Sequence, residues 1–267
     1  MTRVISGLVL LALIVGVFWF LPPWGTQIFA GVALVLSLRE YDNLVRLGGL
    51  DVVPRVGAVL SVAMYVVLLF LPAAATHLLL VSAVVVGGAL VLRGRVPDQA
   101  VAVAAAMLFP VVYLGMGVAT VPLVREAYGA PALMTLFLTQ IGSDTGQYYA
   151  GRTFGRAPLA LALSPKKTRE GAIGGLITGA VVMAGFGRLW LPGLPAWQLA
   201  LLGVAVAIVG IAGDLFESML KRSADVKDSS NLIPGHGGML DRIDALLFTM
   251  PLYYVALQWL WPVATRG

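Results

Sequence analysis

Residues 218–244 read SMLKRSADVKDSSNLIPGHGGMLDRID and stand between two strongly apolar segments. Lys221, Arg222, Lys227, Asp228, Asp241, Arg242 and Asp244 all fall within this short run, and His236 is set among glycines in Pro234-Gly235-His236-Gly237-Gly238. A bilayer does not accept charge at that density, so the stretch is a water-facing connection between two helices that are not water-facing.

The rest of the chain needs lipid as its main solvent. Of 267 residues, 59% are hydrophobic and 12% charged, and the mean hydropathy is +0.91. A helical crossing takes about 20 mostly apolar residues. Candidate crossings fall near 4–21, 24–38, 54–71, 73–92, 99–121, 131–150, 171–191, 197–220 and 243–261, the second being the shortest. The expected fold is therefore an all-α integral membrane protein with about nine transmembrane helices. Pro22-Pro23, Gly48-Gly49, Pro72, Pro97, Pro131, Pro192 and Pro195 punctuate them. The first segment follows Arg3 without a small-residue cleavage site and is expected to be a retained span. Residues 1–130 would carry five spans. Residues 131–267 would form the catalytic region, with loops 151–171 and 221–242.

Orientation follows from the basic residues. With the N-terminus cytoplasmic and the C-terminus outside, fifteen of the eighteen Lys and Arg lie on the cytoplasmic side, leaving Arg125, Arg188 and Arg266 outside. The net charge of +5 then describes a rim that faces anionic headgroups and nucleotides. No soluble basic face is available for nucleic acid. The absence of cysteine excludes disulfides, thiolate metal sites and cysteine nucleophiles.

A charge inside a span costs at least about 2.5 kcal/mol on insertion scales, so intramembrane acids are functional candidates. Asp144 and Asp214 each lie six residues before the cytoplasmic end of a span, roughly 9 Å along the axis. Asp214, Glu217 and Ser218 share one helix face, and Asp241 and Asp244 open the last span. Carboxylates from three helices are expected to converge on one cytoplasmic pocket. An oxygen-only set suits Mg²⁺, with a second cation beside it left open, and does not suit zinc. The plainer alternatives are helix–helix hydrogen bonding for Asp144 and Asp214, and helix capping for Asp241 and Asp244. Lys166, Lys167, Lys221 and Arg222 have the charge to neutralise phosphates, although the positive-inside pattern alone also accounts for them. Gly237 and Gly238 let backbone N–H groups approach an anion closely.

Taken in order, Lys221, Arg222, Lys227, Asp228, His236, Gly237, Gly238, Asp241, Arg242 and Asp244 resemble the signature of the phosphatidate cytidylyltransferases, or CDP-diacylglycerol synthases. Ser143-Asp144-Thr145-Gly146 and Ser164-Pro165-Lys166-Lys167-Thr168-Arg169-Glu170-Gly171 resemble further motifs of that family, with Arg169 where many members carry an aromatic residue. The resemblance implies transfer of the cytidylyl group of CTP to phosphatidate, in a homodimer, at the cytoplasmic face of the inner membrane among anionic lipid. It implies Asp214 and Asp241 as metal ligands with Asp144 supporting them, and Asp244 completing the motif. Asp144, Lys167, Lys221, Arg222, Asp228 and His236 become catalytic candidates, and Lys166, Lys167, Gly237, Gly238 and Arg242 nucleotide-binding ones. The alternatives are a synthase for another lipid phosphate such as an archaeal ether lipid, a CTP-dependent polyprenol kinase, or a cation or proton transporter. A transport path would also place acids at mid-membrane or outer positions, where only Glu126 stands.

Overall fold

The computed structural model describes residue 9, residues 12–232 and residues 237–262. The helices are α1 (Pro23–Leu47), α2 (Val56–Phe70), α3 (Ala75–Leu92), α4 (Ala100–Pro110), α5 (Gly117–Phe154), α6 (Arg169–Trp190), α7 (Ala196–Ser223) and α8 (Leu240–Leu260). A π-helical stretch, Val111–Met116, joins α4 to α5 directly after Pro110, whose ring removes a backbone donor. Among the described residues, five helical runs are long and apolar enough to cross a membrane: Pro72–Leu92, Ala100–Phe154, Arg169–Trp190, Ala196–Ser223 and Leu240–Leu260. The protein is thus a predominantly helical, multi-pass membrane protein. Leu80 and Val84 of α3 are 67% and 73% exposed, as a lipid-facing surface requires.

Three features differ from the sequence expectation. The run Ala100–Phe154 has 55 residues, about 80 Å of helix against a hydrocarbon core of about 30 Å. It is divided at Gly129 (φ 82°, ψ 173°), two residues ahead of the expected break at Pro131. The segment expected over 24–38 extends through its charged residues to Leu47, with Leu38, Tyr41 and Leu44 buried and Asp42 and Arg46 paired one turn apart at 2.8 Å. It ends in a glycine cap at Gly49 (φ 82°), with Leu50 N donating to Val45 O and Gly49 N to Arg46 O. Finally, the loop expected over 151–171 has a structure of its own. Residues 151–171 contain an antiparallel hairpin of β1 (Pro158–Ala160) and β2 (Ser164–Thr168), in register Pro158 to Thr168 and Ala160 to Ser164. Of the expected first span, 4–21, residue 9 and residues 12–21 are described, with Gly16–Phe20 π-helical, and the remainder lies outside the described residues.

The chain divides into two compact units. One gathers Trp24–Pro122 and Leu220–Ile243, the other Leu13–Pro23, Leu123–Met219 and the chain from Asp244 onward. In the first, Leu60 and Met64 of α2 pack with Val86, Val103, Met107 and Val111. Gly57 lies against the backbone of Met107, and Gly115 against that of Ser61. Tyr41 donates to Ala106 O (3.1 Å) and Tyr65 to Gln27 O (2.6 Å), closing the rings' polar ends inside apolar surroundings.

In the second unit, helix packing relies on small residues, as it does where lipid offers no hydrophobic drive. Gly171, Gly175, Gly179 and Gly187 recur every four or eight residues on the buried face of α6. Gly174 abuts Gly146 of α5, and Gly179 abuts Gly203 of α7. These contacts set α5 and α7 against α6, the arrangement that positions Asp144 and Asp214. Gly203→Val would drive a branched side chain into Gly179 O and Met183, and overpacking of this kind costs about 1–3 kcal/mol. The expected outcome is a thermal unfolding transition in detergent several degrees below wild type, while Gly185→Ala, which meets nothing within 4 Å, leaves it unmoved.

Candidate functional site

In the second unit, a cleft of about 410 Å³ opens between α5, the hairpin, α6 and α7. Asp144 enters it from α5 and Asp214 from α7, while β2 presents Lys166 and Lys167. Lys167 forms an ion pair with Asp214, the side chains being 20% and 39% exposed. Asp144 Oδ1 accepts from Gln140 Nε2 (3.1 Å) and Gln147 Nε2 (3.0 Å), one turn to either side on its own helix. The hairpin is held locally. Thr168 is extended and caps α6 by accepting from Gly171 N at 3.1 Å. Glu170 Oε2 accepts from Arg156 N (3.0 Å) and Ala157 N (3.4 Å), tying the strand entry to the first turn of α6. At the mouth, Arg152 donates to the Tyr148 hydroxyl at 3.2 Å.

The first unit carries another ordered cluster. Asp241, on the first turn of α8, has a nearly buried side chain. Its Oδ1 accepts from Lys221 Nζ at 2.6 Å. Its Oδ2 accepts from Ser229 Oγ (2.8 Å), Gly238 N (2.8 Å) and Ser229 N (2.9 Å). Gly237 has φ 76°, a conformation that glycine adopts at little cost, and a Cβ there would stand 2.6 Å from Asp241 Oδ2. The side chain of α1 Glu40, 6% exposed, accepts from Ser230 Oγ (2.6 Å), Leu240 N (2.7 Å), Met239 N (2.9 Å) and Ser229 Oγ (3.0 Å).

The structure therefore brings Asp144, Lys166, Lys167 and Asp214 together in one cleft. Asp241 and Lys221 pair with each other in the other unit. Among the described residues, no three of His, Asp or Glu gather around one point. Arg222 donates to Val226 O (2.9 Å), bracing the turn after α7. Lys227, Asp228 and Arg242 are exposed and make no side-chain hydrogen bond or ion pair among the described residues. Asp244 Oδ1 accepts from Ala245 N at 2.7 Å, and Glu217 is fully buried. His236 lies outside the described residues. Sequence reasoning missed Glu40, Ser229, Gln140 and Gln147. Glu40 was in principle detectable by the rule that selected Asp144, an acid within a helix of apolar context, had α1 not been ended at residue 38.

A sequence profile described as the cytidylyltransferase family matches residues 1–260. The chain belongs to that family. A phosphatidate cytidylyltransferase of Pseudomonas aeruginosa is 36% identical over 274 aligned residues, 96% of each chain. One from Synechocystis is 47% identical over 123 residues, 45% of this chain and 41% of its own. One from Bacillus subtilis is 39% identical over 132 residues, 49% of each.

Breaking a buried pair from one side leaves an uncompensated charge, which costs more than removing both partners. Lys221→Met should lower the unfolding temperature in detergent, and adding Asp241→Asn should recover part of that loss. A double variant less stable than Lys221→Met would show that the lysine does not compensate the carboxylate.

Proposed function

We propose that the chain transfers the cytidylyl group of CTP to phosphatidate, giving CDP-diacylglycerol and pyrophosphate for phospholipid synthesis. The observation that carries this reading is the cleft in which Lys166 and Lys167 face Asp144 and Asp214 at the ends of apolar helices. A phosphate oxygen of phosphatidate attacks the α-phosphorus of CTP. The new P–O bond forms as the bond to the β-phosphate breaks, and pyrophosphate leaves. The nucleophile is already anionic at neutral pH, so no strong base is required. The chemistry needs neutralised charge and in-line placement.

Lys166 and Lys167 supply positive charge to the phosphates. Asp144 and Asp214 suit Mg²⁺, which is bound by one or two carboxylates together with substrate phosphates. The fit rests on the donor set: all-oxygen, with Asp144 steadied by two amides on a single oxygen and Asp214 partnered, among the described residues, by a lysine that a phosphate can draw away. When bound, the ion would offset charge building on the leaving pyrophosphate. Asp241 keeps its reading as a cation ligand and Lys221 and Arg222 theirs as charges for the phosphates, with Lys221 resting on Asp241. The protein works as a homodimer in the inner membrane, as the family resemblance supports. It has nine spans, a cytoplasmic N-terminus and an active site on the cytoplasmic side, as the one-sided distribution of Lys and Arg supports.

With purified protein, CTP and phosphatidate, CDP-lipid and pyrophosphate should appear in equal amounts, and a chelator should stop both. Release of CDP with a newly phosphorylated lipid would instead identify a kinase. Asp214→Asn should lower turnover on the order of 100-fold or more while the protein still extracts as a folded species; near-normal turnover removes Asp214 from the metal site. Lys167→Ala should raise the apparent KM for CTP.

The chain's lack of cysteine allows a clean topology measurement. In intact cells a membrane-impermeant maleimide should label Arg188→Cys and spare Lys227→Cys, and the opposite pattern would reverse the orientation.

A further inference from the structure

Glu40 is a buried carboxylate that no Lys or Arg among the described residues pairs with. Such a group is tolerated only where donors surround it, and among the described residues the donors are Ser229, Ser230, Met239 and Leu240. Two of them are the backbone amides of Met239 and Leu240 at the start of α8, which have no partner within the helix and favour negative charge. The Ser229 hydroxyl reaches both Glu40 Oε2 (3.0 Å) and Asp241 Oδ2 (2.8 Å). It has one proton to give, so the two carboxylates share it. Gly238 lies between them, and a Cβ there would collide with the Glu40 carboxylate and the Ser229 hydroxyl. Moving Ser229, Ser230 or the start of α8 would break several bonds to charged acceptors together.

We propose that Glu40 is a positioning residue for the reaction: by clasping Ser229, Ser230 and the first turn of α8, it holds Asp241 and Lys221 in one geometry. The inference rests on the reading that Asp241 and Lys221 serve cytidylyl transfer. Glu40 acts through them and does not itself touch the reacting atoms. The N-terminal helices thereby contribute a residue to catalysis, beyond their place in the bilayer.

The test compares Glu40→Gln, Glu40→Asp, Ser230→Ala and Asp241→Asn, purified in detergent and assayed with CTP, phosphatidate and Mg²⁺. Misplacement of reacting groups by about 1 Å costs on the order of 100-fold. Glu40→Gln should therefore remain monodisperse and lose roughly 10–100-fold in kcat, with the KM for CTP within about threefold of wild type. Glu40→Asp, which keeps the charge, should recover part of kcat, and Ser230→Ala should lie between Glu40→Gln and wild type. If Glu40→Gln does not extract as a folded species, Ser230→Ala carries the same comparison, since it removes one donor and leaves three. A monodisperse Glu40→Gln, or failing it Ser230→Ala, with wild-type kcat overturns the inference. So does a loss of activity that only tracks the loss of folded protein. An inactive Asp241→Asn beside a fully active Glu40→Gln sinks this inference alone, whereas an active Asp241→Asn sinks the reading on which it rests.

Discussion

A carboxylate drawn out of water into helix packing must be met by a cation or by a full set of donors, and the polar architecture of this protein is organised around that requirement. Each prominent acid has its own solution. Asp214 takes Lys167, and Asp144 takes two glutamine amides from its own helix. Asp241 takes Lys221 together with one hydroxyl and two amides. Glu40 takes two hydroxyls and two helix-terminal amides. The local structure around each acid is what delivers those partners. The hairpin exists to bring Lys167 to Asp214, and it can do so because Thr168 and Glu170 fix where the strand ends and α6 begins.

Glycine makes the same delivery possible on a different scale. Close approach of α5 and α7 to α6 needs Gly146, Gly174, Gly179 and Gly203 where a side chain would collide. Without that approach, Asp144 and Asp214 would not line one cleft. Gly237 and Gly238 work at the scale of a single turn, where room and positive φ let backbone amides reach Asp241 and leave space for Glu40. The sequence motif suggested that these two glycines serve an external anion. Their immediate contacts are with the protein's own carboxylates, the same physical device turned inward.

What could be read from the chain was set by the range of the signals. Apolar runs located α3, α6, α7 and α8 closely, since burial in lipid acts residue by residue along a helix. Asp144 and Asp214 were recognisable for the same reason, as acids within apolar runs, and the cleft brings them together. The hairpin at 158–168 was not legible, because three- and five-residue strands with an SPKKT composition carry no alternation. Glu40 was missed because Arg39, Asp42 and Arg46 around it look like the end of a span. That turn is helical with Leu38, Tyr41 and Leu44 buried, Asp42 paired with Arg46, and Glu40 met by donors some 190 positions away.

The two aspartate–lysine pairs also bear on how charged substrates can be handled at a membrane surface. An unpaired carboxylate would repel a triphosphate and an unpaired lysine would hold one too well, whereas a preformed pair is close to neutral and exchangeable. Under the proposed reading, a phosphate would compete for the lysine and leave the aspartate available to a cation. The charges are then exchanged between partners and not created in a region of low dielectric, where creating them is costly. Lys167, on a two-stranded hairpin and 20% exposed, is better placed to change partners than Lys221, whose side chain is 12% exposed and whose aspartate is held by three further donors. On this argument the hairpin lysine responds to the arriving phosphate, and the lysine at the end of α7 keeps the charge of a fixed frame.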